Sequence, residues 1–296
     1  MSDYMLRATA ANDTIRAFAI TAKDTIEEAR RRHDTAPVVT AALGRLLCGG
    51  AMMCMMEKED EGLLTLQVLG DGPVGGITVS ASPDGLLKGF ANETNVELPL
   101  KYPGKLDVGT AVGSGILRVM REQKRAEADP FAAAGEPYIG TVELVSGEIA
   151  EDLTYYFAQS EQTPSAVGLG VLVDKDITVR CAGGFIVQLM PDVTDEAISL
   201  LEQNIQSIRP VTELLDEGMM PEGLLEELLK GMDVTVLEKR PVAYRCDCSR
   251  ERVTKSLAAL PKEDLQEMID DAKPVEVRCQ FCNEKYEFAI EELKKL

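Results

Sequence analysis

An α+β fold is predicted: a large core of mixed sheet and helix over residues 1–191, a helical linker over 192–240, and a small four-cysteine unit over 241–296. Three observations predict it. Residues 1–191 combine strand-like runs with segregated helical stretches, the pattern of α+β architecture rather than of alternating α/β units. After Pro191 the signals turn helical and strongly acidic. Near the C-terminus, four of the seven cysteines fall into two tight pairs.

The first 60 residues or so read as an opening strand and two helices, through "DTIEEARRRHDTAP" and "VVTAALGRLLCGGAMMCMMEK". The second helix is apolar on most faces, which predicts a central, buried position. From Leu63 the period changes: "LLTLQVL", "GGITVSA" and "GLLKGFA" are short runs separated by the turn signals "GDGP" and "SPDG", an antiparallel meander. Further strands are expected at "YIGTVELV", "AVGLGVLV" and "ITVRCAGGFIVQLM", with a helix at "EIAEDLTYYFAQ".

In the linker, Thr194 suits an N-cap, with Asp195 and Glu196 in the first turn and Ile198, Leu201, Ile205 and Ile208 at helical spacing. Pro210 and Pro221 suit helix starts, and Gly218 and Gly231 suit helix ends. Between Asp192 and Lys230, ten acidic side chains face only Arg209 and Lys230, so self-repulsion predicts marginal docking of this helical layer.

The 296 residues are 45% apolar, enough for a buried core with one or two smaller units. A formal charge of −19 argues against nucleic acid or an anionic membrane as partner. The charge is uneven, since residues 232–296 carry 12 basic and 14 acidic side chains and the remainder holds nearly all the excess. "MSDYMLRATA" lacks a signal-peptide pattern, and no uninterrupted apolar run approaches the ~18 residues of a membrane span, so a cytoplasmic protein is expected. In that reducing compartment, clustered cysteines are metal ligands or redox thiols more often than static disulfides. The glycine-rich "GDGPVGG" and "GTAVGSGIL" match no phosphate-binding loop and read as turns, so no nucleotide site is expected. His33, the single histidine, reads as helix-end packing.

A unit of some 56 residues rarely holds itself together by core burial alone. "CDC" and "CQFC" bring Cys246, Cys248, Cys279 and Cys282, each pair following a strand end, with the helical "RVTKSLAAL" and "KEDLQEMIDDA" between them. Four thiolates suit a tetrahedral zinc, whose binding is worth roughly 10–16 kcal/mol when coupled to folding. Arg245, Arg250, Arg252, Arg278 and Lys285 are near the thiols in sequence and are expected to offset the site's negative charge. Close thiolates are also what oxidants attack, and oxidation would eject the metal. Spacing alone leaves three readings open: a permanently structural zinc module, a redox switch, and a dithiol oxidoreductase. Cys48, Cys54 and Cys181, in apolar contexts, read as inert core residues.

"CDCSRER" and "CQFCNEKYEF", together with "HDTAPVVTAALGRLL", "LTLQVLGDGPVGGI", "EDLTYYFAQSEQTPSAVGLGV" and "AGGFIVQLMP", resemble the redox-regulated heat-shock holdases of bacteria, the thirty-three-kilodalton chaperonin family. The resemblance spans nearly the whole chain. It implies a chaperone that is not an enzyme and needs no ATP. One zinc per chain would be held by Cys246, Cys248, Cys279 and Cys282 in the reduced, inactive state. It further implies that oxidation forms the disulfides Cys246 with Cys248 and Cys279 with Cys282, releases zinc, and unfolds the C-terminal unit and then the linker. The activated protein is expected to dimerise and to bind unfolding client proteins.

Overall fold

The computed structural model describes residues 2–57, 62–122, 137–271 and 273–296, and the chain forms two compact units, 1–244 and 245–296.

The larger unit opens with a hairpin, β1 (Tyr4–Ala10) and β2 (Ile15–Thr21), where the sequence suggests one strand. The turn is made by Ala11, Asn12 and Asp13, all at positive φ, a conformation that Asn and Asp tolerate better than most residues. Helix α1 (Lys23–His33) and helix α2 (Pro37–Met56) follow, the latter with proline in its first turn. By length and composition α2 could cross a membrane, but 94% of its apolar window is buried within the unit, so it serves as the core helix.

The meander is β3 (Leu64–Gly70), β4 (Ile77–Ala81) and β5 (Leu86–Ala91), followed by the short α3 (Val108–Val112), β6 (Gly115–Arg121) and β7 (Tyr138–Glu143). Strand β6 begins inside "GTAVGSGIL", which the sequence suggests is a turn. There Gly115 lies against the carbonyl of Leu69, so close that a Cβ would fall 2.0 Å from its oxygen. Helix α4 (Ala150–Gln159), β8 (Ser165–Val173) and β9 (Val179–Leu189) complete the part read as core. Next come α5 (Asp195–Ser207), α6 (Val211–Asp216) and α7 (Pro221–Leu228), then β10 (Thr235–Pro241) and β11 (Ala243–Tyr244). Residues 235–240, the end of the stretch expected to be helical linker, thus form an edge strand together with Pro241.

Two sheets result, ordered β10-β1-β2-β9-β8 and β11-β5-β4-β3-β6-β7, and α2 packs against strands of both. On the outer face of the five-stranded sheet, α6 crosses β8 and β9 while α7 crosses β1 and β2. Leu214, Leu224, Leu225 and Leu228 are buried there against Leu6, Ala8, Ile15, Ala17, Ala19 and Phe185. Each fully buried leucine contributes roughly 1.5–3 kcal/mol relative to exposure, against a few tenths of a kcal/mol for each like-charge helical neighbour. Burial therefore wins, and the acidic layer stays docked. Polar clamps add to it. Tyr4 donates to Glu222 at 2.5 Å, Lys239 bonds the other Glu222 oxygen at 3.2 Å, and Arg180 grips Asp216 through two bonds of 2.5 and 2.6 Å.

The smaller unit contains α8 (Arg250–Ala258), α9 (Lys262–Asp270), the hairpin β12 (Val275–Arg278) and β13 (Lys285–Phe288), and α10 (Ile290–Leu293). Ser249 caps α8 by accepting from the Arg252 amide. Its apolar core has only Leu257, Phe288 and Leu293 fully buried among the described residues. That is too little burial to fold a unit of this size unaided.

Candidate metal centre

Four sulfur atoms meet in the smaller unit. Cys246 and Cys248 lie on the irregular segment leading to α8, Cys279 directly follows β12, and Cys282 is in the tight turn before β13. That turn is held by bonds from the Asn283 and Cys282 amides to the Cys279 carbonyl, at 2.7 and 3.3 Å, and Asn283 has a positive φ. Hydrogen bonding around Cys279 thus folds the C-x2-C segment back on itself and aims both thiols inward.

All four Sγ atoms lie within 4.8 Å of one another. Two close approaches run across the halves of the motif, Cys246 to Cys279 at 3.7 Å and Cys248 to Cys282 at 3.3 Å. None is a disulfide; all seven cysteines are free thiols. A zinc tetrathiolate with bonds of about 2.3 Å has sulfur–sulfur edges of about 3.8 Å, so the donor set and its spacing fit a tetrahedral zinc. The four cysteines can bind a metal ion.

The sulfurs differ electrostatically. Burial pushes the Cys246 thiol up to about 11, and burial raises Cys282 further. At Cys248 burial acts in the same direction, but hydrogen bonds from Tyr286 and the neighbouring thiols outweigh it and hold this thiol below its ordinary value. Tyr286 donates its hydroxyl to Cys248 Sγ at 3.1 Å. Sequence reasoning misses this residue; the alternation of "KYEF", which puts Tyr286 on the same strand face as the buried Phe288, is the signal that could find it.

The basic residues expected around the thiols have other partners in part. Arg250 pairs with Glu292, while Arg278 and Lys285 both pair with Glu276. Arg252 bonds Asp247 and remains close enough to interact with the Cys246 and Cys248 sulfurs. Local carboxylates thus take up cations that proximity in sequence assigns to the thiols.

Cys48, Cys54 and Cys181 are buried in the larger unit, as their apolar contexts predict. Burial pushes Cys54 up to about 12 and Cys181 up to about 11, and it raises Cys48 as well.

The profile of the Hsp33 protein family matches residues 3–289. The chain is 53% identical to the 33 kDa chaperonin of Lachnoclostridium phytofermentans, over 100% of this chain and 98% of that protein. It is 46% identical to the 33 kDa chaperonin of Clostridioides difficile, over 100% of this chain and 99% of that protein. The crystal structure of the 33 kDa chaperonin homologue from Thermotoga maritima superposes with a TM-score of 0.90 at 36% identity, covering 100% of this chain and 97% of that one. With a profile match over almost its full length and relatives of this similarity, the chain belongs to the Hsp33 family of chaperones.

Proposed function

We propose that this chain is an ATP-independent holdase whose activity is governed by the oxidation state of Cys246, Cys248, Cys279 and Cys282. The observation that carries the reading is the gathering of four sulfurs within 4.8 Å in a unit with only three fully buried apolar residues in its described core. Such a unit depends on its ligands for its fold, so chemistry at the sulfurs is transmitted to the whole unit.

In the reduced, inactive state the four cysteines hold one zinc per chain, which neutralises the clustered thiolates and cross-links the two halves of the motif. Oxidation joins Cys246 to Cys248 and Cys279 to Cys282. With hydrogen peroxide as oxidant, each S–S bond forms as an O–O bond breaks, the dithiol losing two electrons and two protons and two waters leaving. The ligand set is then gone and the metal with it. Residues 241–296, the redox-switch domain, lose their fold. The linker, 192–240, loses its docking, and the apolar surface of the 1–191 core and of the linker becomes available to unfolding client proteins. The activated form is a homodimer working in the cytoplasm, without nucleotide, nucleic acid, membrane or catalytic chemistry, and reduction restores the resting state.

The test pairs metal release with light scattering. Reduced, zinc-loaded protein is treated with peroxide at heat-shock temperature while free zinc and the aggregation of a test protein are followed together. Suppression of aggregation that begins only after about one zinc per chain is released supports the reading. Zinc release without any gain of holdase activity overturns it.

A further inference from the structure

Tyr286 belongs to the C-x2-C half of the motif by sequence and reaches into the C-x-C half in space. Its strand, β13, pairs antiparallel with β12, and Phe288, two residues on, is buried in the small core. Period-two alternation puts Tyr286 on that same face, and its ring packs against the same core cluster. The hydroxyl is therefore presented by a rigid scaffold. It donates to Cys248 Sγ at 3.1 Å, and this sulfur also has Cys282 Sγ 3.3 Å away. A hydroxyl hydrogen bond to a thiolate withdraws electron density from the sulfur, which weakens it as a nucleophile and fixes its direction.

We propose that Tyr286 is a positioning residue of the redox site: its hydroxyl holds the Cys246–Cys248 segment against the Cys279–Cys282 turn and shields the Cys248 sulfur from electrophiles. The inference rests on the switch reading only in giving that shielding a purpose. The shielding itself is a property of the reduced protein. When a thiolate attacks a hydroperoxide, the S–O bond forms as the O–O bond breaks, the sulfur loses two electrons to give a sulfenic acid, and hydroxide leaves. At Cys248 one of the lone pairs open to this step is engaged by Tyr286. In the metal-loaded protein all four sulfurs are thiolates, so thiolate content does not separate them; the hydrogen bond makes Cys248 the weaker nucleophile, the first attack is biased toward the other three, and the oxidant needed to empty the site is set in part by a residue that is not a ligand.

The experiment uses full-length, reduced, metal-loaded protein, comparing wild type with Tyr286→Phe and with a chain carrying 3-fluorotyrosine at position 286. The fluorinated ring keeps the shape and donates more strongly, so it reports even should the phenylalanine variant fold poorly. Each of the four cysteines is followed by mass spectrometry during limiting iodoacetamide or peroxide treatment. The cobalt(II)-substituted protein is examined for its sulfur-to-metal charge-transfer band. Tyr286→Phe should raise modification of Cys248 about fivefold relative to Cys279, the factor a single hydrogen bond of ordinary strength supplies, and move the band to longer wavelength. Fluorotyrosine should shift both readouts the opposite way. Unchanged Cys248 selectivity overturns the proposal, and so does an equal rise at all four cysteines, which would mean that the tyrosine only supports the fold. Because these readouts concern the reduced state, a protein that never gains holdase activity on oxidation would sink the switch reading and leave the Tyr286 result standing.

Discussion

His33 and Tyr244, 211 residues apart in sequence, meet through a bond of 2.9 Å between His33 Nε2 and the tyrosine hydroxyl. The hydroxyl donates in turn to the Gly89 carbonyl at 2.7 Å, so Nε2 is the donor of the pair. His33 ends α1, Gly89 lies in β5, and Tyr244 is the last residue of the larger unit. Three segments are thereby tied together where the chain leaves that unit.

Tyr244→Phe removes the hydroxyl that both His33 and Gly89 use. The larger unit should lose about 1–3 kcal/mol, seen as a lower urea midpoint with an unchanged slope, while bound metal stays constant. An unaltered midpoint would show that the relay is dispensable.

Glu148 gathers Arg45 at 2.8 Å, Lys101 at 2.9 Å and Lys105 at 3.8 Å, with its side chain only 11% exposed. Burial alone would raise its pKa, but the hydrogen bonds from Lys101 and Arg45, with the surrounding positive charge, hold it below the ordinary 4.5. A carboxylate depressed in the folded state contributes its full stabilisation above the unfolded value, and that stabilisation fades as the pH falls through the folded one. Glu148→Gln should therefore cost about 3 kcal/mol near neutrality, with the gap in melting temperature narrowing below pH 4.5. Melts across that range decide the matter, since a gap independent of pH contradicts the assignment.

Chelation of the metal under reducing conditions should unfold residues 245–296 and spare the sheets of residues 1–244. Hydrogen exchange should then show lost protection in α8, β12 and β13 and unchanged protection in α2. Persistent protection in β12 and β13 would mean that Leu257, Phe288 and Leu293 suffice to hold the unit.

Cys181 donates to the Thr212 carbonyl at 3.5 Å, beneath α6. It should resist alkylation in the resting protein and become labelled on oxidation, while Cys48, inside α2, stays protected. Full holdase activity with Cys181 still unlabelled would mean that α6 never leaves β9.

Much of this architecture is legible in the sequence because the signals are local. Thr194 caps α5 as its residue type suggests, Pro221 opens α7, and Gly218 and Gly231 take positive φ beyond the helix ends. Edge strands are harder to read. In β10, Val236 and Leu237 are half exposed and three consecutive charged residues, Glu238, Lys239 and Arg240, follow them, so "TVLEKRP" has no clean alternation and looks like linker. Strand β13 has only four residues. At the site, the spacing of Cys246, Cys248, Cys279 and Cys282 reveals the cluster, whereas the Tyr286 contact spans 38 residues and depends on how the hairpin folds back.

The segment that carries α5, α6 and α7 enters from β9 and leaves into β10, two strands of one sheet. It is a strap fixed at its root to β9, and it stays attached there even when β10 comes away with the linker. Should the helices come away, residues 190–234 would still hang beside the face they had covered, at an effective concentration on the order of millimolar. A client held on that face would compete with leucines that never diffuse away. Its discharge would then be a displacement from within, at a pace indifferent to how much of the protein the cell contains.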